Sequence, residues 1–303
     1  MRRSIVVGAL LGFWMGAAAA APPPPALAYA AALQPPVWVE HDGLQRALAV
    51  GEALQAGDRY ETGVGGRLQI GLHEASTVKL GESADFAMPE LHQIDDGRDQ
   101  GLFKGALKVL KGAFRFTTGA IGALRRRELD VSIGPTVTVG IRGTDIWGKS
   151  DAQRDLVCLI EGKIEVSSPG QPAQRMEQPL SYYSVPREGG HDQPPPPVAP
   201  APESELALWV PQTELRDEVP ALYADGRYRV SLVSYAEQAR ARDKLHQLSE
   251  QGYATSLQAY LHEGQTRYRL VVGGLRTQAE AKRFADAMKV RLKLPFPWVM
   301  VAA

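Results

Sequence analysis

The chain has 303 residues, with 34 basic and 34 acidic side chains, 44% hydrophobic residues, 30 glycines, 22 prolines and a single cysteine. Such a length suits about two domains, the composition is that of folded protein rather than disordered chain, and one cysteine excludes both an intramolecular disulfide framework and a cysteine-rich metal cluster. The neutral total hides a segregation: residues 29–222 hold 19 basic against 27 acidic side chains, whereas residues 223–303 hold 13 against 7.

Arg2 and Arg3 precede an apolar run from Ile5 to Ala21, and small-residue tripeptides such as Ala17-Ala18-Ala19 and Ala26-Leu27-Ala28 lie in or after it. A basic start, an apolar core and small-residue cleavage sites make a secretory signal peptide, assigned to residues 1–28 with cleavage after Ala21, Ala28 or Ala30. No later apolar stretch reaches spanning length. The expectation is an exported, periplasmic protein with no stable transmembrane anchor.

From about residue 37 to 190 the chain reads as all-β. Arg67-Leu68-Gln69-Ile70-Gly71-Leu72, Thr77 to Leu80 and Lys163 to Val166 alternate with period two, the pattern of half-buried strands, and glycines punctuate them where turns or bulges are needed. The apolar spacing of Leu102, Phe103, Ala106, Leu107 and Leu110 predicts one helix over Gln100 to Lys111, weakened by Gly101 and Gly105. Arg142, between Gly140 and Gly143, can offer a fork of donors to a carboxylate or sugar, with Asp145 as acceptor or counter-ion; tight-turn chemistry explains the same residues. Arg125-Arg126-Arg127 reads as a solvated charge run.

The strings GEALQAGDRYETG after Leu48, GGRLQIGLHEASTVKLGESADF at 65–86, LKGAFRFTTG at 110–119, VTVGIRGTDIWG at 137–148 and LIEGKIEV at 159–166 resemble the FecR family of periplasmic β-domains. The resemblance implies a stacked-strand, β-solenoid or sandwich-like fold. In well-known members such a domain lies outside a transmembrane helix and controls a cytoplasmic anti-sigma segment; this sequence shows neither, which leaves a β-module expected to bind an envelope or membrane protein or a ligand.

Pro194 to Pro197, Pro200 and Pro202 make residues 191–222 a Pro-rich linker, expected to be an extended, semi-rigid spacer with one short helix near Ser204 to Val210. Beyond it, the chain repeats itself. Tyr228-Arg229-Val230-Ser231-Leu232 returns forty positions later as Tyr268-Arg269-Leu270-Val271-Val272. Each is followed by a capping-box pattern, Ser234 with Glu237 and Thr277 with Glu280, and by an amphipathic stretch. Helices are predicted from Tyr235 to Gln251, stopping at Gly252, and from Gln278 to Lys293. With strands at Tyr253 to Leu261 and Trp298 to Val301, residues 223–303 read as βαββαβ, an α+β, ferredoxin- or RNP-like domain with both helices on one sheet face. Strand alternation puts Arg229, Ser231 and Val233 on the free face beside Arg269 and Val271, and turns Tyr228, Val230, Leu232, Tyr268, Leu270 and Val272 to the helices.

YRVSLVSY at 228–235, GYATSLQAYL at 252–261, YRLVVGGLRTQAEAKRFADAMK at 268–289 and WVMVA at 298–302 resemble the SPOR (sporulation-related repeat) family. The resemblance implies binding to peptidoglycan, with a preference for glycan strands denuded of stem peptides. Carried across position by position, it implies glycan contacts at Ser231 (where glutamine is usual), Ser234, Tyr268, Arg269 and Val299, with Arg229 added by its place on the free face; Gly274 stands where proline is usual. A basic sheet attracts the lactyl carboxylates of such strands. The aromatic Gly-Phe-rich strand motif of an RNA-binding sheet is absent, so nucleic acid is not expected.

The six histidines show no metal-ligand spacing, and no nucleophile motif accompanies them, so no metal, cofactor or catalytic residue is predicted. Cys158 lies in the apolar run Leu156 to Ile160 and reads as a buried hydrophobe. The sequence thus predicts a non-catalytic adaptor holding peptidoglycan at one end and an envelope partner at the other. The alternatives are a regulatory, signalling module acting on a membrane partner and, behind it, a wall-modifying enzyme.

Overall fold

A computed structural model of the chain describes residues 26–94, 102–119, 126–141, 143–187 and 197–301. Most of the signal-peptide assignment, and Arg142, lie outside the described residues. In chain order the strands of the first domain are β1 (Ala28–Gln34), β2 (Val37–His41), β3 (Leu44–Ala47), β4 (Ala53–Leu54), β5 (Arg59–Thr62), β6 (Arg67–Leu72), β7 (Thr77–Leu80), β8 (Asp85–Ile94), β9 (Leu102–Thr117), β10 (Arg126–Ile133), β11 (Val137–Ile141), β12 (Asp145–Ser150), β13 (Arg154–Glu161), β14 (Ile164–Ser167), β15 (Gln174–Met176), β16 (Ser181–Pro186) and β17 (Ala199–Pro200). Then come α1 (Glu203–Trp209), a 3-10 turn (Val210–Gln212), β18 (Leu222–Tyr223), β19 (Tyr228–Tyr235), α2 (Gln238–Glu250), β20 (Ser256–His262), β21 (Gln265–Leu275), α3 (Gln278–Arg291) and β22 (Trp298–Val301).

Two sheets share one strand. One runs β1-β6-β7-β9-β12-β13-β16-β17, with β4 and β18 dividing the outer edge of β1 between them. The other runs β3-β2-β5-β8-β9-β10-β11-β14-β15. The shared strand β9 takes up residues 102–111 of the segment predicted to be helical, whose first two residues lie outside the described ones. Its first half pairs with β8 and β10, and from Gly112 onward it pairs with β7 and β12. Gly112 has φ +88°, which a side chain resists, and there the buried parity switches from Phe103, Leu107 and Val109 to Phe114 and Phe116. Helical spacing of apolar residues loses because strands on both sides satisfy the backbone, and because Gly105 lets Leu91 and Leu129 close over it. The inner faces meet in one core that includes Val78, Phe114 and Ile146 from one sheet and Phe86, Phe103 and Val139 from the other. Each fully buried side chain of this kind contributes about 1.5–3 kcal/mol.

The β-domain reaches beyond the predicted 37–190. β1 lies inside the predicted leader's last residue and cleavage region, and its Ala28, Ala30, Ala32 and Leu33 are buried. Of the three cleavage positions, only that after Ala21 leaves the strand whole. Arg127, read as part of a solvated run, lies in β10 with its side chain buried, where Nη1 donates to Ser76 Oγ (3.0 Å) and Thr118 Oγ1 (2.9 Å) beside Glu74.

The segment after β17, expected to be a free spacer, is laid across the first sheet as a strap. Its helix α1 ends in Trp209, which stacks on Trp147 at 5.1 Å with rings 8° apart. Glu214 then binds Lys79 (2.6 Å) and Arg115 (3.3 Å), and Gln34 Nε2 donates to the Arg216 and Val219 carbonyls.

The C-terminal domain has the βαββαβ element order that the repeat predicts, and its sheet is antiparallel in the order β20-β21-β19-β22. Leu248, Ala281, Phe284 and Met288 of the two helices share a buried core with Val230, Leu232, Leu270 and Val272, and Ala241 of α2 is buried as well. The α3 capping box forms, with Thr277 accepting from the Glu280 amide and Glu280 accepting from Thr277 N–H. The α2 box does not. That helix starts at Gln238 behind an uncapped Glu237, because Ser234 and Tyr235 remain in β19.

Candidate functional site: the helix-free face of the C-terminal sheet

The helix-free face is set by register. Arg229 lies opposite Gly273 and Met300, Ser231 opposite Val271 and Trp298, Ser234 opposite Arg269, and on the other side Gln258 opposite Arg269 and Tyr260 opposite Arg267. Between Ser231 and Val233 the register slips by one residue, so both Leu232 and Val233 turn to the helices and Val233 pairs with Leu270. This bulge corrects the simple alternation: Val233 leaves the free face and Ser234 takes its place.

Ser234 is therefore no helix cap. Its Oγ shares a 2.8 Å hydrogen bond with the Tyr260 hydroxyl, and the Arg269 guanidinium lies over the Tyr260 ring, 4.9 Å from its centre. Such a cation–π stack orients the guanidinium without consuming its donors. Arg229, Arg267 and Arg269 have no acidic partner within ion-pair distance among the described residues. The Nε atoms of Arg267 and Arg269 and the Ser231 Oγ are buried with no hydrogen-bond partner. Buried donors of this sort normally find partners; the guanidinium groups of Arg267 and Arg269 lie two residues apart on the helix-free face, where an anionic ligand could meet them.

Four of the predicted contacts, Arg229, Ser231, Ser234 and Arg269, come together on this face. Two do not. Tyr268 lies opposite Ala259 and Tyr235, on the helix side with Leu270. Val299 lies opposite Val230 and packs into the helix-side core, while Trp298, 39% exposed, takes the free face beside Ser231. The sequence reading also missed Gln258 and Tyr260. Their signal is the period-two run Ser256, Gln258, Tyr260, which becomes informative only once β20 is registered against β21.

In the β-domain, Asp145 is committed to Arg115 through a bidentate pair of 2.9 and 2.7 Å, so it is not an available acceptor. The pair raises the Arg115 pKa, chiefly through the hydrogen bonds to Asp145. Cys158 is buried, and burial pushes its thiol up to about 12. Among the described residues no cluster of three His, Cys, Asp or Glu side chains is placed to hold a metal ion, and no helix is long and apolar enough to cross a membrane.

No curated protein matches the chain. Two crystal structures of chains from Parabacteroides distasonis ATCC 8503, described as candidate anti-sigma factors, are similar in part. The first, at 1.65 Å resolution, shares 16% identity with a TM-score of 0.39 over 50% of this chain and 64% of its own length; the second, at 2.50 Å, shares 13% with a TM-score of 0.38 over 69% and 96%. This chain thus spans less than two thirds of the first of them. Family models match two stretches, FecR protein over residues 58–165 and SPOR domain over residues 224–300. The chain is therefore built from a FecR domain followed by a C-terminal SPOR domain.

Proposed function

We propose that this is an exported, non-catalytic envelope protein that binds peptidoglycan through its SPOR domain and an envelope partner through its FecR domain. The observation that carries the first half is the row of Arg267 and Arg269, with no acidic partner among the described residues, beside the Ser234–Tyr260 pair on a helix-free sheet face. Glycan strands denuded of stem peptides suit that face, because their lactyl carboxylates are exposed to guanidinium groups and their hydroxyls can meet Ser234 and Gln258. Loss of the stem peptides also removes the steric bulk that would hold the strand away from the sheet face.

The FecR match supports a second, regulatory reading in which the β-domain acts on a membrane partner. The two readings are compatible, with glycan capture as the input. The test is a sacculus pull-down with the full exported chain. Amidase-treated sacculi should deplete the protein from solution more strongly than untreated ones, and Arg269→Ala should restore it to the supernatant. Equal and negligible depletion by both kinds of sacculi would refute the glycan assignment.

A further inference from the structure

The SPOR domain is docked against the FecR domain, and the docking builds a cleft that neither domain has alone. At the C-terminal end of α2, Val37 N–H donates to the Gly252 carbonyl (3.1 Å), Trp38 Nε1 to the Glu250 carbonyl (3.1 Å) and Ala47 N–H to Ser249 Oγ (3.0 Å). Two glycines of the SPOR domain admit this approach. A Cβ on Gly252 would lie 2.6 Å from Pro36 Cβ, and one on Gly274 would lie 2.7 Å from Val50 Cγ1 and 3.1 Å from the Tyr223 carbonyl. Gly274 has φ +102°, far from the roughly −65° that proline imposes. The glycine at this position, where the SPOR resemblance leads one to expect proline, is thus explained by the contact with the β-domain.

The cleft between the domains has a volume of about 290 Å³, close to the lower end of ordinary small-molecule sites, on the order of 300 Å³. The β-domain supplies an apolar wall of Pro35, Leu48, Ala49 and Val50, and the SPOR domain supplies Arg229, Thr255, Ser256, Val271 and Gly273. Three of these, Arg229, Ser256 and Val271, also belong by register to the helix-free sheet face. Tyr253, Val272 and Phe284 of the helix side line the cleft as well, so it lies at the end of the sheet, about 14 Å along β21 from Arg269 to Gly273. Thr255 Oγ1 is buried and has no hydrogen-bond partner, and Gly273, lacking a side chain, leaves the Arg229 stem to lie alongside it at the cleft's edge.

We propose that the cleft is a continuation of the glycan site and that the FecR domain forms one wall of it. Its occupant is a carboxylate-bearing acetamido sugar of the strand held at Arg269, with the carboxylate on Arg229, polar groups on Thr255 and Ser256, and methyl groups against Pro35, Leu48 and Val50. This rests on the glycan reading above and adds to it a residue set outside the SPOR domain. It also makes glycan occupancy a bridge between the domains, because a bound sugar touches both.

Calorimetric titration of the full exported chain with a peptide-free tetrasaccharide of alternating N-acetylglucosamine and N-acetylmuramic acid tests it. Ala49 is exposed, so Ala49→Trp fills the cleft mouth from the β-domain side without disturbing a core. Thr255→Val preserves shape and removes a buried hydroxyl that has no partner in the free protein, so it leaves the melting temperature unchanged or raised. Both variants should weaken binding about five-fold or more, with Arg269→Ala weakening it as well. Wild-type affinity in Ala49→Trp and Thr255→Val, with loss in Arg269→Ala, would overturn the cleft proposal and leave the sheet-face reading standing. If the wild-type chain takes up no tetrasaccharide, both fall together.

Discussion

Charged side chains are used differently in the two domains. In the FecR domain they close on one another: Arg59 is bidentate to Asp85, Arg115 to Asp145, and Arg46 pairs with Glu52. On the SPOR face Arg229, Arg267 and Arg269 are left open. A titrating residue sits among the closed pairs. His41 Nδ1 lies 2.6 Å from Asp58 Oδ1, while Asp58 also accepts from the Tyr60 hydroxyl (2.9 Å) and the Gln55 amide (3.0 Å). The hydrogen bond to Asp58, then the charges of Asp42 and Asp58, raise the His41 pKa above its ordinary 6.5. A raised folded-state pKa means that protonated His41 stabilises the fold. That contribution is complete below the unfolded value of about 6.5 and is lost as pH rises through the folded value. The melting temperature should therefore fall between about pH 5.5 and about pH 8.5 by more in the wild type than in His41→Ala, measured by thermal denaturation; equal falls would show that the pair contributes nothing.

The two capping boxes of the SPOR domain read alike in sequence and differ in structure, and the difference is measurable at the level of the helix. Thr277 satisfies the Glu280 amide in α3, so Thr277→Ala should cost about 1 kcal/mol of unfolding free energy in a denaturant titration. Ser234→Ala removes no cap but does remove the hydrogen bond to Tyr260, so its cost should vanish in a Tyr260→Phe background while that of Thr277→Ala persists. A Ser234→Ala loss that survives in the Tyr260→Phe background would contradict the extension of β19 through Tyr235. The strand, helix, strand, strand, helix, strand order was legible because the repeat spaces its elements evenly and Gly252 ends α2 by a left-handed turn. Three features were not. The bulge at Leu232 depends on pairing with β21, a non-local fact that moves Ser234 onto the free face. Helical spacing in Leu102 to Leu110 mimicked an amphipathic helix in what is a strand held from both sides. Val299 and Trp298 are adjacent, and only the β19–β22 register says which of them faces the ligand side.

At the scale of the whole molecule, the segment between the domains decides whether they act as one body. A proline tract suggests a spacer, yet residues 203–223 beyond it lie on the first sheet, clasped by an aromatic stack, a charge chain through Glu214, the ion pairs Arg154–Glu205 and Arg216–Glu82, and the Gln34 hydrogen bonds. Trp209 is 5% exposed and packs between Trp147 and Tyr182 over Cys158 and Leu156. Further along the chain, Glu214 bridges Lys79 and Arg115, and Arg115 passes the charge on to Asp145. The strap ends in β18, which pairs with β1, and Arg276 of the SPOR domain then closes over Tyr223 at 3.6 Å and binds Asp225. The domains are held by their shared surface and by this strap together, so loosening the strap should free one without unfolding the other. Trp209→Ala removes the aromatic clamp, and a fully buried tryptophan lost in this way typically costs about 3–5 kcal/mol. The strap's docking is local, so the cost appears first as its release. Limited proteolysis should cut the variant within residues 203–217 at protease levels that leave the wild type intact, giving two resistant fragments. If cleavage there is no faster than in the wild type, the stack is not what holds the strap, and the charge chain through Glu214 becomes the element to cut next.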